Sequence, residues 1–329
     1  MASALNNNAA QAVPSTELPN KQDNILRQLN PHLSVDEVDI LYHLAVDTSD
    51  LEAIRRKYGD VKFVCMGGSR GRVENFARQA YEAMSGYYSM PPDAHTNDIA
   101  RRAGRFVMYK VGPVLTLNHG MGFGSLNIAL HEVAKLLRYA GATDFSFIRM
   151  GTSGGLGAEP GTVIITKEGY DATCEPGYEV VSCGKKVRYE AKADEKLNQE
   201  FIQAAEDLSI DYQIGNTMGC DDFYEAQCRL DGALCDYTLK DKFDFIRRAN
   251  KEAGVFNMEM EANVFLSFCN RAKIPGAVVC CSIVNRLKGD QITSTKEELK
   301  SFEQHPLQLI LQVVKNRVVD GAKKELKNE

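Results

Sequence analysis

Short apolar runs alternate with longer stretches in which apolar residues return every three or four positions, a pattern that predicts strands interleaved with helices. Val61, Phe63, Val64, Cys65 and Met66 read as a buried strand over 60–66. It ends in the glycine turn Gly67-Gly68-Ser69-Arg70-Gly71-Arg72, and from Val73 to Met84 the period becomes helical. A helix opening after such a turn offers unbonded backbone N–H groups and a positive dipole end, both suited to an anion. Residues 106–111 and 113–117 predict a hairpin. Ser125 stands as N-cap of a helix over 126–139, whose Leu130, Val133, Ala134 and Leu137 share one face. Further strands are predicted over 144–150, 161–166, 211–218, 256–260 and 276–284, and helices over 194–208, 241–253, 261–270 and 306–319. Val38, Ile40, Leu41, Leu44 and Leu51 predict short helices at the domain edge between 33 and 57.

The glycine-rich stretch Arg149-Met150-Gly151-Thr152-Ser153-Gly154-Gly155-Leu156-Gly157 leads into a strand, not a helix. That order argues against a dinucleotide fold, where the glycine fingerprint must open a helix. The fold class expected is α/β, a single-domain three-layer α/β/α arrangement around a mixed sheet. Residues 1–24, polar and small, read as a disordered arm and not a signal peptide; 25–320 form the domain, and the Lys-rich 321–329 fray.

Composition narrows the function classes. Of 329 residues, 44% are hydrophobic and 25% charged, and no apolar run approaches the roughly 18 residues of a membrane span. The net charge of −5 argues against bulk attraction to nucleic acid or an anionic membrane, so an anion site must come from a local group of arginines. Nine cysteines without metal spacing point to reduced thiols in the cytoplasm, with no metal site.

Two segments carry candidate chemistry. In Phe223-Tyr224-Glu225-Ala226-Gln227-Cys228-Arg229 an amide and a guanidinium stand two residues apart, so an extended backbone would project both from one face toward the edge of a small polar ring. In Asn257-Met258-Glu259-Met260-Glu261 two carboxylates flank a methionine in the same way. The first pair suits a nucleobase and the second a sugar's hydroxyls.

With Gln227-x-Arg229, Glu259-Met260-Glu261, Arg149-x-Gly151-Thr152 and Gly120-x-Gly122 in this order, the chain resembles the nucleoside phosphorylase-I family, and within it the uridine phosphorylases of eukaryotic type. The likeness runs from about Leu41 to about Val318. It implies reversible phosphorolysis of uridine to uracil and ribose 1-phosphate, in pyrimidine salvage or catabolism, with phosphate as co-substrate and no other cofactor. Gly68, Arg72, Arg149 and Thr152 would hold phosphate, with Arg105 reaching in from a neighbouring subunit. Phe223, Gln227, Arg229, Ile283, Val284 and Arg286 would hold the base, Arg286 by way of water. Glu259, Met260 and Glu261 would hold the ribose, with His43 contributed across a homodimer; Arg149, Gln227, Arg229 and Glu261 would carry catalysis. The purine branch has an acid within the stretch Ser282-Ile283-Val284-Asn285-Arg286; this chain has none there, which favours a pyrimidine. Rival readings are a nucleoside hydrolase of the same fold and a non-catalytic relative that only binds nucleoside or phosphate.

The chain also departs from that family. Arg70 and Gly124 stand where prolines are usual, and Ala226 and Cys228 where glycines are. Arg70 is expected to add a cation near phosphate or to compete with Arg72, and Ala226 and Cys228 to restrict backbone freedom around Gln227. A thiol exposed at Cys228 would make activity sensitive to oxidation.

Overall fold

The computed structural model describes residues 26–27 and 30–325, with side chains as far as Val318; the expected arm over 1–24 lies outside the described residues. Two paired dipeptides, β1 (Ile40–Leu41) and β2 (Val46–Asp47), precede helix α1 (Leu51–Tyr58). The expectation of helices throughout 33–57 is therefore corrected, since only the last segment is helical. Ala45 turns the chain there with φ +53°. Strand β3 (Phe63–Gly67) then feeds α2 (Arg70–Met84), whose N-cap Ser69 accepts the Arg72 N–H. The helix begins inside the glycine turn, three residues before Val73.

The hairpin β4 (Met108–Val111) and β5 (Val114–Asn118) leads into α3 (Gly122–Tyr139). Met121 occupies the N-cap position, and Ser125 lies in the first turn, where its hydroxyl donates to the His119 carbonyl at 2.5 Å. Next come β6 (Ser146–Gly155), β7 (Val163–Tyr170) and an outlying hairpin, β8 (Tyr178–Ser182) with β9 (Lys185–Tyr189). The hairpin was not read from the pattern. Its signal is Cys183-Gly184, both with positive φ, the requirement of a tight hairpin turn.

The chain continues through α4 (Glu195–Leu208), β10 (Tyr212–Gly219), α5 (Leu239–Lys251), β11 (Val255–Glu259), α6 (Ala262–Ala272), β12 (Gly276–Asn285) and α7 (Lys296–Glu325). Pro306, expected to open the last helix, lies inside it. Upstream of it, Thr295 and Glu298 exchange capping bonds, a capping box that marks the true start. Residues 321–325 of the expected frayed tail are helical; 326–329 lie outside the described residues.

Eight strands form one mixed sheet in the order β11-β10-β7-β12-β6-β3-β5-β4, and β11 also pairs with β6. The second pairing closes β6, β12, β7, β10 and β11 into a ring. Helices cover both faces. The core on one side joins Tyr58 of α1, Leu130 of α3 and Phe265 of α6; on the other it joins Phe76 of α2, Phe201 of α4 and Ile310 of α7. The three-layer α/β/α expectation therefore holds. No helix among the described residues is long and apolar enough to cross a membrane.

Strand β6 creates the feature that matters for function. Along one edge it pairs with β12 from Phe147 to Gly155. Along the other it follows β3 only to Met150, and meets the antiparallel β11 only at Gly154 and Gly155. Gly151, Thr152 and Ser153 lie in the gap where those neighbours part. Such a switch in strand pairing is where α/β sheets open a crevice.

Candidate active site

A cavity of about 670 Å³ opens at this gap. Gly68, Arg72, Arg149, Thr152, Phe223, Gln227, Arg229, Glu259, Met260, Glu261, Ile283, Val284 and Arg286 all line it. Residues from strands more than a hundred positions apart thus meet around one volume. His43 and Arg105 do not line the cavity of their own chain, and Arg105 is exposed. The pattern did not single out Asp290, Gln291 and Ile292, which complete the wall. They lie in the loop after β12, where no periodicity marks them.

At one end, Arg149 on β6 is 3% exposed and its Nη2 contacts both Glu259, at 2.7 Å, and Glu261. Gly151 makes room for this guanidinium, because a Cβ there would stand 2.5 Å from Nη1. Burial opposes the charge on Arg149, but the two carboxylates outweigh it and hold the group cationic. Burial pushes Glu259 up to about 7, whereas for Glu261 the penalty of burial is overcome by Arg149 and by the Gly122 N–H, which donates at 2.6 Å, bringing it to about 2. Glu259 also accepts the N–H groups of Glu261 and Ala262, so it caps α6 while pairing with Arg149.

Beside this triad, Arg72 Nη2 lies 3.5 Å from the Thr152 hydroxyl and 3.3 Å from Glu303. Among the described residues, the Nε–H groups of Arg72 and Arg149 are buried without a hydrogen-bond partner, as are both ring nitrogens of His119. Burying a donor unpaired costs about 1–3 kcal/mol, a cost that an anion accepting from it would remove. His119, just after β5, is held neutral: burial, then Arg149, brings its pKa down to about 3. Arg70, expected near an anion, instead points outward, 64% exposed and 3.9 Å from Glu74. It does not line the cavity.

At the other end, Phe223 to Arg229 is a turn and not the extended segment expected, with the Cys228 N–H bonded to Glu225 O and the Arg229 N–H to Tyr224 O. Gln227 and Arg229 still converge because Cys228 takes φ +49°, the left-handed region where glycine is favoured. Ala226 needs no such conformation. Cys228 is half-buried and burial pushes its thiol up, away from the reactive thiolate.

Arg229 donates Nε and Nη2 to Asp231 at 2.9 and 2.8 Å, and Nη2 also to the Asp290 carbonyl at 2.9 Å. Its Nη1 has no hydrogen-bond partner among the described residues. The guanidinium stacks 4.5 Å from the Phe223 ring centroid. Arg286 donates Nη1 to Gln227 Oε1 at 3.3 Å, Nη2 to Gln227 O at 2.6 Å and Nε to Asp290 at 2.8 Å. An acid does therefore line the cavity near Gln227 and Arg229. Burial resists its charge, yet Lys242, the Leu230 N–H and Arg286 together hold Asp290 below its usual range, so it stays ionised and has no proton to donate.

His43 is 38% exposed at its side chain and its Nδ1–H donates to the Glu132 carboxylate at 2.6 Å, while its backbone N–H donates to the same carboxylate at 2.9 Å. Glu132 on α3 thereby fixes the ring from behind.

The profile of the Phosphorylase superfamily matches residues 62–316, well over half of the chain. This chain belongs to that superfamily. Among its relatives in the superfamily, uridine phosphorylase 1 of Mus musculus is 41% identical over 311 residues, 93% of this chain and 98% of the mouse protein. A protein of Schistosoma mansoni named inactive uridine phosphorylase B is 38% identical over 289 residues, 87% of this chain and 95% of its own. A solved structure from a study of two uridine phosphorylases of the oomycete Phytophthora capsici is 41% identical, with a TM-score of 0.81 over 86% of this chain and 95% of that one.

Proposed function

We propose that this chain is a uridine phosphorylase, catalysing reversible phosphorolysis of uridine to uracil and ribose 1-phosphate. The observation that carries the reading is one cavity whose wall brings together Gly68, Arg72, Arg149 and Thr152, Glu261 and Met260 beside them, and Gln227 and Arg229. A volume of about 670 Å³ is of the size that small-molecule sites take. In the reaction a phosphate oxygen bonds to C1′ as the C1′–N1 bond breaks, and the bonding electron pair departs with uracil. Arg72, Arg149 and Thr152 hold the phosphate, arginine being suited to it by its bidentate fork. Glu261, ionised at neutral pH, accepts from the ribose hydroxyls and favours positive charge on the ring. Gln227 accepts from N3–H and donates to O2, while the unpaired Nη1 of Arg229 donates to O4 as negative charge gathers there. No proton-donating acid faces the base, which fits a pyrimidine leaving as its anion. Positioning and electrostatics suffice for this step, with no cofactor beyond phosphate.

The proposal extends to a homodimer in which Arg105 and His43 enter the partner's site. Support comes from their position outside their own cavity and from exposed Val38, Ile40 and Tyr42 beside His43, an apolar stretch suited to a subunit interface. Nine cysteines without a disulfide support a cytoplasmic location.

The relative named inactive makes identity alone a weak guide to activity, so the direct test is chemical. Purified protein is incubated with uridine, with and without phosphate, and uracil is quantified. Uracil release that requires phosphate supports the proposal. Release without phosphate marks a hydrolase, and uridine binding without any release marks a non-catalytic binder.

A further inference from the structure

Lys242 sits on α5, outside the cavity, yet it is 2% exposed and its Nζ donates to Asp290 Oδ1 at 2.5 Å. The same oxygen accepts Arg286 Nε at 2.8 Å, and Arg286 in turn holds Gln227 by both its side-chain and main-chain oxygens. Lys242, Arg286 and Gln227 are buried, and the Asp290 side chain is 8% exposed. Building on the proposed uridine phosphorylase reading, we propose that Lys242 and Asp290 are positioning residues that, through Arg286, fix the flip of the Gln227 amide and so select uracil against cytosine.

The physical argument rests on donors and acceptors. With Oε1 facing the Arg286 Nη1–H, that oxygen keeps a second lone pair for a ring N3–H, and Nε2 is left to donate to O2. Uracil presents that N3–H. Cytosine presents a bare N3 acceptor, so Gln227 would have to turn its NH₂ toward N3. The rotation brings N–H against the N–H of Arg286, a repulsive contact of the kind that specificity commonly depends on. Discrimination therefore requires Arg286 to stay in place. Three of its five N–H donors, one on each nitrogen, are engaged on Asp290 and Gln227, which pins the plane of the guanidinium, and the carboxylate that orients it is itself held by Lys242.

The test compares wild type, Lys242→Met, Asp290→Asn and the double variant, each as the full chain and each checked for folding by thermal unfolding. Two readouts are taken: kcat/KM for uridine against cytidine at saturating phosphate, and calorimetric binding of uracil against cytosine. Each single variant is expected to narrow the preference for the uracil base about five- to tenfold, the size of coupling seen between residues in one network. The KM for phosphate stays put, and the double variant is no worse than Asp290→Asn, since Lys242 acts only through Asp290. An unchanged base preference in both folded single variants overturns the proposal, as does an additive double variant or an equal shift in the KM for phosphate. If wild type fails to release uracil from uridine and phosphate, the functional reading falls, and the binding ratio still decides the relay. Wild type that binds uracil no better than cytosine sinks both.

Discussion

The two ends of the cavity both rely on arginine, but they commit it differently. At the base end, every nitrogen of Arg286 is bonded to Gln227 or Asp290, and Arg229 has spent Nε and Nη2 on Asp231 and Asp290. What remains for a ligand is Nη1 of Arg229 and the Gln227 amide, a site organised before any ligand arrives. At the sugar–phosphate end, Arg149 is bonded to Glu259 and to Glu261, the carboxylate proposed to grip ribose. Ligands entering there must redistribute existing bonds. In the proposed reaction the base end would select, while the other end would exchange partners.

The strongest way to break this contrast is Arg149→Met. It leaves two buried carboxylates without their cation, so turnover is expected to fall by about 10³ or more and stability by about 3–5 kcal/mol, read from single-turnover rates and urea unfolding. If stability is unchanged, the pairing with Glu259 and Glu261 carries no weight in the fold.

Arg229→Ala should separate the ends. Loss of the donor to O4 is expected to lower kcat for uridine by about 10²–10³, with the KM for phosphate near its wild-type value in initial-rate kinetics. A matching change in both constants would mean the ends are not independent.

A pH series sharpens the picture of the exchanging end. Glu259 ordinarily titrates near 4.5 and is raised to about 7 in the folded protein. Between those values the folded state holds the extra proton, so its contribution to stability is complete below 4.5 and is lost as pH rises through about 7. Glu261 acts in the opposite sense, its contribution present above 4.5 and lost as pH falls toward about 2. Urea midpoints should therefore drop between pH 5 and about 7.5 in wild type, and the drop should shrink in Glu259→Gln. An identical slope in that variant would assign the effect to other groups.

The smallest effect belongs to the turn that aims the base end. Cys228 holds a left-handed conformation that strains an L-residue by about 1–2 kcal/mol. Cys228→Gly should recover about 1 kcal/mol, visible as a higher unfolding temperature. No gain would indicate that the surrounding bonds already absorb the strain.

The alternation of strands and helices was legible because buried strands and amphipathic helices leave distinct periods, as in 60–84. It failed where a local signal outranked the period. Thr295 with Glu298 starts the last helix ahead of Pro306, and Cys183-Gly184 makes a hairpin from residues too polar to stand out. Ile40 to Asp47 looked helical because spacing alone does not distinguish a helix turn from paired dipeptides. In the site, every candidate except His43, Arg105 and Arg70 lines the cavity, whereas Asp290 and Lys242 are not marked by any pattern because their importance lies in whom they bond.

The sequence by itself determined which chemical groups are available and in what order: the arginines, the amide, the paired carboxylates, and the periods that raise them into an α/β sheet. Only the tertiary structure decided which of their donors and acceptors are already taken. Arg149 meets Glu261 across 112 positions of chain and Arg286 meets Gln227 across 59. Hydrogen-bond saturation depends on every neighbour at once, and those neighbours are assembled only when β6 leaves β3 and closes against β11.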